Sequence, residues 1–216
     1  MTEVPTLTVI FQDMQDHEVY SKLKIYCKNI IPHPLTDEEL KLIDIYFEVK
    51  ELKKKDFLLR EGKVCNLVGF IVKGAIRHFH VKDGVEITCD ISLENAWITD
   101  YKSITHKTPC IVNLQAMEDT TVLVINKTDL YKLYNECAKF ETFGRLMAER
   151  IAHRSIEIAM SLLSDKPEER VNNLLNNHPD LFQRIPQKYI ANFLGISPES
   201  LSRIKRRIHT KRKSQH

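Results

Sequence analysis

The chain has 216 residues, 43% hydrophobic and 28% charged, with a formal net charge of +3, a composition expected of a globular, soluble protein with one large domain and a small one. Its longest apolar runs, such as "LVGFIV" from Leu67 to Val72, fall far short of the roughly 20 residues that span a bilayer. The first twenty residues have neither a basic start nor a small-residue cleavage pattern, so a cytoplasmic location is expected. Five scattered cysteines without a CxxC pair argue against a disulfide framework, a zinc knuckle or an iron–sulfur cluster.

In chain order, residues around His17 to Ile30 are compatible with a helix, and "LTDEELKLIDIYF" opens a second one, with Thr36 and Glu39 at capping-box spacing. Between Val49 and Asn126 the texture changes to short β-rich runs such as "FLLRE", "AIRHFHVK" and "TVLVIN", punctuated by Gly62, Gly74 and the Asp83-Gly84 turn. These runs predict a small antiparallel barrel or roll. From Lys127 to Leu163 only Gly144 interrupts a helical stretch in which Phe140, Phe143, Met147, Ile151, Ile158 and Leu162 form an apolar stripe, broken by Arg154. The length of the stripe predicts a helix that covers the roll on one side and meets a second copy on the other. In "SDKPEER", Ser164 or Asp165 is a candidate cap and Pro167 suits a first helical turn. The expected division is therefore 1–136 for the roll with its flanking helices, 137–164 for a dimerisation helix, and 165–216 for a C-terminal module.

That module is basic. From Arg145 onward there are 14 Lys/Arg against 7 Asp/Glu, whereas residues 1–144 carry 18 against 22, so the two parts stand at +7 and −4. Within "QKYIANFLGISPESLSRIKRRI", Ile190 and Leu194 share a helix face and Ala191 is small enough for a close helix crossing. Gly195 suits a left-handed helix end, Ser197 can cap, and Pro198 stands first in the next helix. Leu201, Ile204 and Ile208 then point inward, leaving Glu199, Ser202, Arg203, Arg206 and Arg207 outward. A packing-only helix pair has no need of all these features at once, so the stretch predicts a DNA-binding helix-turn-helix. Arg203 can donate twice to guanine and Glu199 can accept from a cytosine amino group. Gln187, Lys188, Lys205, Arg206, Arg207, Lys211 and Arg212 fit phosphate contacts, and Ser197, Pro198 and Ser202 lie on the same surface. An i,i+4 ion pair between Glu199 and Arg203 is the structural alternative.

At these residues the chain resembles the Crp/Fnr family of bacterial transcription regulators, through "LLREG" and "FIVKGAIR" in the roll, the long helix, and above all the C-terminal module. It is most similar to the versions common in Bacteroidetes, by the "PEER" start and the "PQKYIA", "LGI" and "ESLSRI" segments. The resemblance implies an α+β fold: an N-terminal cyclic-nucleotide-binding-like β-roll (a double-stranded β-helix or jelly roll), a long dimerisation helix, and a C-terminal helix-turn-helix. It implies a homodimer regulating transcription on double-stranded DNA at an imperfect palindrome, with RNA polymerase as a further partner, no membrane and no enzymatic activity. Glu199 and Arg203 stand where the family places its reading residues, but Pro198 stands where many members have an arginine. The family's C-terminal hairpin wing is not visible after Ile208.

The resemblance is weakest in the effector pocket. Where cyclic-nucleotide-binding members place a phosphate-pairing arginine, this chain has Gln115, with Glu118 nearby, so cyclic AMP is not the expected ligand and the cofactor is unknown. Trp97, Thr99, Asp100, Gln115 and Glu118 are the candidate pocket residues. Two rival readings exist. His78, His80 and Glu86 could hold a metal in a jelly-roll enzyme, and a DNA-binding regulator could work without any ligand.

Overall fold

The computed structural model describes the backbone of residues 7–213 and the side chains of residues 17–211. Helices α1 (Leu7–Ile30) and α2 (Asp37–Tyr46) lead the chain. The capping box at α2 is present: Thr36 Oγ1 accepts from the Glu39 N–H at 3.2 Å, and the Thr36 N–H donates to Glu39 Oε2 at 2.7 Å. Two donors that a helix start leaves unpaired are thereby satisfied.

Eight strands follow: β1 (Glu48–Leu52), β2 (Phe57–Leu59), β3 (Leu67–Lys73), β4 (Ile76–Lys82), β5 (Val85–Ser92), β6 (Trp97–Ile98), β7 (Asn113–Ala116) and β8 (Thr120–Asn126), with the short helix α3 (Tyr101–His106) between β6 and β7. They form two antiparallel sheets, β1-β8-β3-β6 and β2-β7-β4-β5. The chain turns tightly from β4 to β5 through Asp83 and Gly84, both at positive φ (53° and 76°), the backbone that an Asp-Gly hairpin favours. The architecture is the expected antiparallel roll within an α+β chain.

Strand alternation sorts the apolar residues into layers. On β3 and β8, Ile71, Val122 and Val124 point between the sheets, where they meet Ile76, Ile98 and Leu114. Phe70, Val72, Leu123 and Ile125 point the other way, into the helices. Both faces of these strands are therefore covered, which is why "LVGFIV" reads as a continuous apolar run.

Helix α4 (Lys127–Glu136) and the 27-residue α5 (Ala138–Ser164) complete the helical layer. Phe140, Phe143 and Met147 are buried in it. Beyond Ile151 the apolar side chains of α5 turn to solvent: Ile156 is 60% exposed, Met160 55% and Leu163 83%. Then come α6 (Pro167–Asn177), α7 (Leu181–Arg184), α8 (Gln187–Phe193) and α9 (Pro198–Lys213). The α6 cap corrects the sequence expectation: the residue at the cap is Lys166, neither Ser164 nor Asp165, and its N–H donates to Glu169 Oε2 at 2.7 Å. Asp165 instead accepts from Ser161 through its carboxylate and from Arg170 through its carbonyl. Among the described residues, no helix is long and apolar enough to cross a membrane.

Candidate nucleic-acid interface and effector region

Helices α8 and α9 meet across a turn built from local signals. Gly195 has φ +66°, the left-handed conformation that glycine adopts with least strain. The Ser200 N–H donates to Ser197 Oγ at 3.2 Å, so Ser197 caps α9 with Pro198 at its first position. Ile190, Ala191, Leu194, Leu201, Ile204 and Ile208 are buried together. Their burial fixes the opposite face of α9 outward, where Glu199, Ser202, Arg203, Arg206 and Arg207 are exposed.

On that face the named residues have distinct settings. Arg203 Nη2 lies 3.2 Å from Ser200 Oγ, and this contact takes the place of the alternative ion pair with Glu199. Glu199 accepts from its own backbone and from Ser197, which, with the nearby Arg203 charge, holds its carboxyl below the usual range. Gln187 Nε2 donates to the Pro198 carbonyl at 3.0 Å, tying α8 to the start of α9, and Lys188 is exposed beside it. Other expected phosphate contacts are also engaged inside the protein. Lys205 is half-buried over the Phe182 ring, 4.9 Å from its centroid. Arg207 and Lys211 both pair with Glu168 at the start of α6, at 2.6 and 3.0 Å. Arg206 is exposed, and the Arg212 side chain lies outside the described residues.

The module is docked on the outer face of the β4–β5 sheet. Ala75, Ile91 and Met117 share one apolar cluster with Val171, Leu181, Ile185 and the helix-turn-helix residues. Asn192 Oδ1 accepts from the Thr88 N–H at 2.5 Å. Arg77, only 1% exposed, lies between the rings of Phe79 and Tyr189, 3.8 and 4.1 Å from their centroids, and donates to Glu86 Oε2 at 2.6 Å. Arg184 donates to Glu94 at 2.7 and 2.9 Å and also to Glu118, and its pKa is raised by these carboxylates. None of these contacts was singled out in the sequence, because most of the partners are remote along the chain. Only Arg154 carried a signal, as the charge that breaks the α5 stripe. It makes a two-pronged pair with Asp90 on β5, at 2.6 and 3.0 Å, next to the buried His78.

The five candidate effector residues do not converge. Trp97 and Thr99 line one cleft, which belongs to the helical side of the roll. Asp100 is spent on capping α3, accepting from the Ser103 N–H at 2.8 Å. Gln115 donates to the Lys55 carbonyl at 3.1 Å, and Glu118 is held by Arg184. The proposed metal trio is likewise dispersed: His78 bonds Ser92 Oγ, His80 bonds Cys89 Sγ, and Glu86 bonds Arg77.

The cleft that Trp97 and Thr99 share encloses about 410 Å³ between β6, α3, α4 and α5. Trp97 packs edge-on against Phe47 and Phe143, and its buried Nε1 has no hydrogen-bond partner among the described residues. Tyr134 lines the opposite side, and its hydroxyl pKa is pushed up to about 12, chiefly by burial. A methyl at Gly144 would overlap that phenol oxygen, so the glycine lets Tyr134 lie close to α5.

The fold and this geometry define a β-roll of the cyclic nucleotide-binding type joined to a helix-turn-helix module. Residues 49–137 match the family described as the cyclic nucleotide-binding domain. The chain is 29% identical over 189 residues to the transcriptional activator protein Anr of Pseudomonas aeruginosa, covering 81% of this chain and 76% of that one. Among solved structures, FixK2 from Bradyrhizobium japonicum is similar with a TM-score of 0.65 at 18% identity, covering 76% of this chain and 85% of the other. A protein assigned to the Crp/Fnr family of transcriptional regulators from Eubacterium rectale gives 0.60, also at 18% identity, over 82% and 85%. At such identities these two likenesses speak for the fold.

Proposed function

We propose that the protein is a homodimeric, sequence-specific DNA-binding regulator of the Crp/Fnr type, of the Bacteroidetes kind by its C-terminal motif, acting in the cytoplasm and without enzymatic activity. One observation carries the reading: the start of α9, capped by Ser197 after the Gly195 turn, presents Glu199, Ser202 and Arg203 to solvent while its apolar side is buried. The N-terminal part of a recognition helix enters the major groove. Arg203 and Glu199 would read base edges there, with Gln187, Lys188, Arg206 and the terminal basic residues on phosphates. The exposed apolar side of α5 pairs with a second copy and sets the recognition helices roughly 34 Å apart, one duplex turn, on an imperfect palindrome.

The effector of this regulator is not cyclic AMP. A cyclic phosphate needs a cation inside the roll, but Gln115 stands at the expected arginine position and is tied to Lys55. The fully buried Arg77 points outward, between Phe79 and Tyr189.

Selection of bound duplexes from a random pool by the purified protein tests the reading. An enriched palindrome supports the dimeric regulator and, with no ligand added, competence without an effector. Enrichment of nothing, even with a metabolite extract present, removes the helix-turn-helix assignment.

A further inference from the structure

We infer that the cleft between β6, α3, α4 and α5 is a binding site for an amphipathic organic acid, with an apolar or aryl body and a single carboxylate. The site lies outside the space between the two sheets, and the inference does not depend on DNA binding. Its volume of about 410 Å³ falls in the range of small-molecule pockets, which are mostly apolar with a few placed polar groups. Trp97, Leu130, Phe143 and Met147 supply apolar walls.

Lys127 supplies the charge. Its ammonium, half-buried in the lining, donates to the Ile104 carbonyl at 2.5 Å and the Thr105 carbonyl at 3.5 Å, and it pairs with no carboxylate among the described residues. It is also the first residue of α4, where the helix dipole adds positive potential that an anion relieves. A cation held only by carbonyls at the edge of an apolar cleft retains a donor for an anionic head. Of the other charges in the lining, Arg145 is paired with Glu149 at 2.5 Å. Glu141, the only carboxylate there, lies in the first turn of α5, whereas Lys127 is at the opposite end of α4 from the α4–α5 corner. An acid head therefore fits the Lys127 end and an apolar tail the Phe143 end.

Trp97 is the only tryptophan of the chain, so its fluorescence reports on this cleft in the intact protein. Phenylbutyrate and decanoate should each change the emission saturably, and their neutral amides should bind about tenfold or more weakly, since the charge contact is lost. Lys127→Gln should weaken the acids by a similar factor and leave the amides unchanged, whereas Lys127→Arg should bind the acids nearly as well as wild type. Ala148→Phe, which fills the cleft, should abolish the response in a protein whose melting shows it folded. Equal binding of acid and amide, undiminished binding by Lys127→Gln or by Ala148→Phe, or no saturable response to either acid at about 10 mM, a concentration that detects even the weakest specific sites, would each overturn the assignment.

Discussion

Arg203 is presented by its neighbours as much as by itself: Leu201 and Ile204 turn one side of α9 inward, and Ser200 lies 3.2 Å from the guanidinium. In the proposed complex that guanidinium reads a base. Arg203→Ala should cost about 1–3 kcal/mol on the selected site and relax preference at one base pair. Equal losses on target and random DNA, measured by titration at fixed salt, would remove its reading role. Glu168 acts in the opposite sense, because it occupies Arg207 and Lys211 in the free protein. Glu168→Gln frees both cations, so binding should tighten on all sequences alike. Unchanged affinity would mean that neither cation reaches the DNA. A third residue gives a pH signature. Burial holds the His78 imidazole below its ordinary value; the Asp90 charge opposes this and the Arg154 charge adds to it. The folded protein thus refuses a proton that the unfolded chain accepts, so stability present above about pH 6.5 is lost as the pH falls below that value. His78→Gln keeps a polar group beside Ser92 but does not titrate. Its melting temperature should fall less than that of wild type between about pH 7 and pH 5, and parallel declines would exclude His78 as the source.

Elements whose definition is local could be read from the sequence, and those defined by remote partners could not. The α2 capping box, the Asp83-Gly84 hairpin and the Gly195–Ser197–Pro198 turn each lie within a few residues, so the chain states them outright. The cap of α6 lies one or two residues beyond the candidates Asp165 and Ser164, because Lys166 has no capping side chain and the acceptor for its N–H comes from Glu169. The effector residues failed for a different reason: Asp100, Gln115 and Glu118 are polar and close in sequence, but their partners Ser103, Lys55 and Arg184 take them in three directions. Helix α5 combines both cases. Its stripe was legible, but the Arg154–Asp90 pair that ties it to β5 is tertiary. Past that point Ile156, Met160 and Leu163 are exposed, on the side that the proposed dimer would cover. Replacing Ile156 and Met160 together by Glu should leave the monomer folded, since neither contributes to the core. Sedimentation should then show a monomer where wild type gives a dimer, and affinity for the full palindrome should fall toward that of a half-site. A double variant that still sediments as a dimer would place the interface elsewhere.

Across the whole molecule the layers run helices, sheet, sheet, helix-turn-helix, and the last joint is the one that links the roll to the candidate DNA-binding surface. Two kinds of contact hold it. The apolar cluster of Ala75, Ile91 and Met117 with Leu181, Ile185 and Ile190 gives adhesion without direction. The polar contacts, Thr88 with Asn192, Arg77 with Tyr189, and Arg184 with Glu94 and Glu118, fix the orientation. Arg184 matters most among them, because it bridges two carboxylates from separate segments of the roll. Arg184→Met keeps the volume of the side chain but leaves Glu94 and Glu118 facing each other uncompensated. Breaking a fully buried pair costs about 3–5 kcal/mol; here the partners are 24–33% exposed, so a loss of about 1–3 kcal/mol is expected after allowance for solvent screening. The loss falls on the joint, not on the interior of either part. Trp97 reports only the roll, whereas far-UV ellipticity reports every helix, so the two signals should melt together in wild type. In Arg184→Met the ellipticity should begin to fall first, as the helix-turn-helix module lets go of the sheet. Coincident melting of both signals in the variant would show that the remaining contacts suffice to join the two parts, and that the arginine clamp has no share in coupling them.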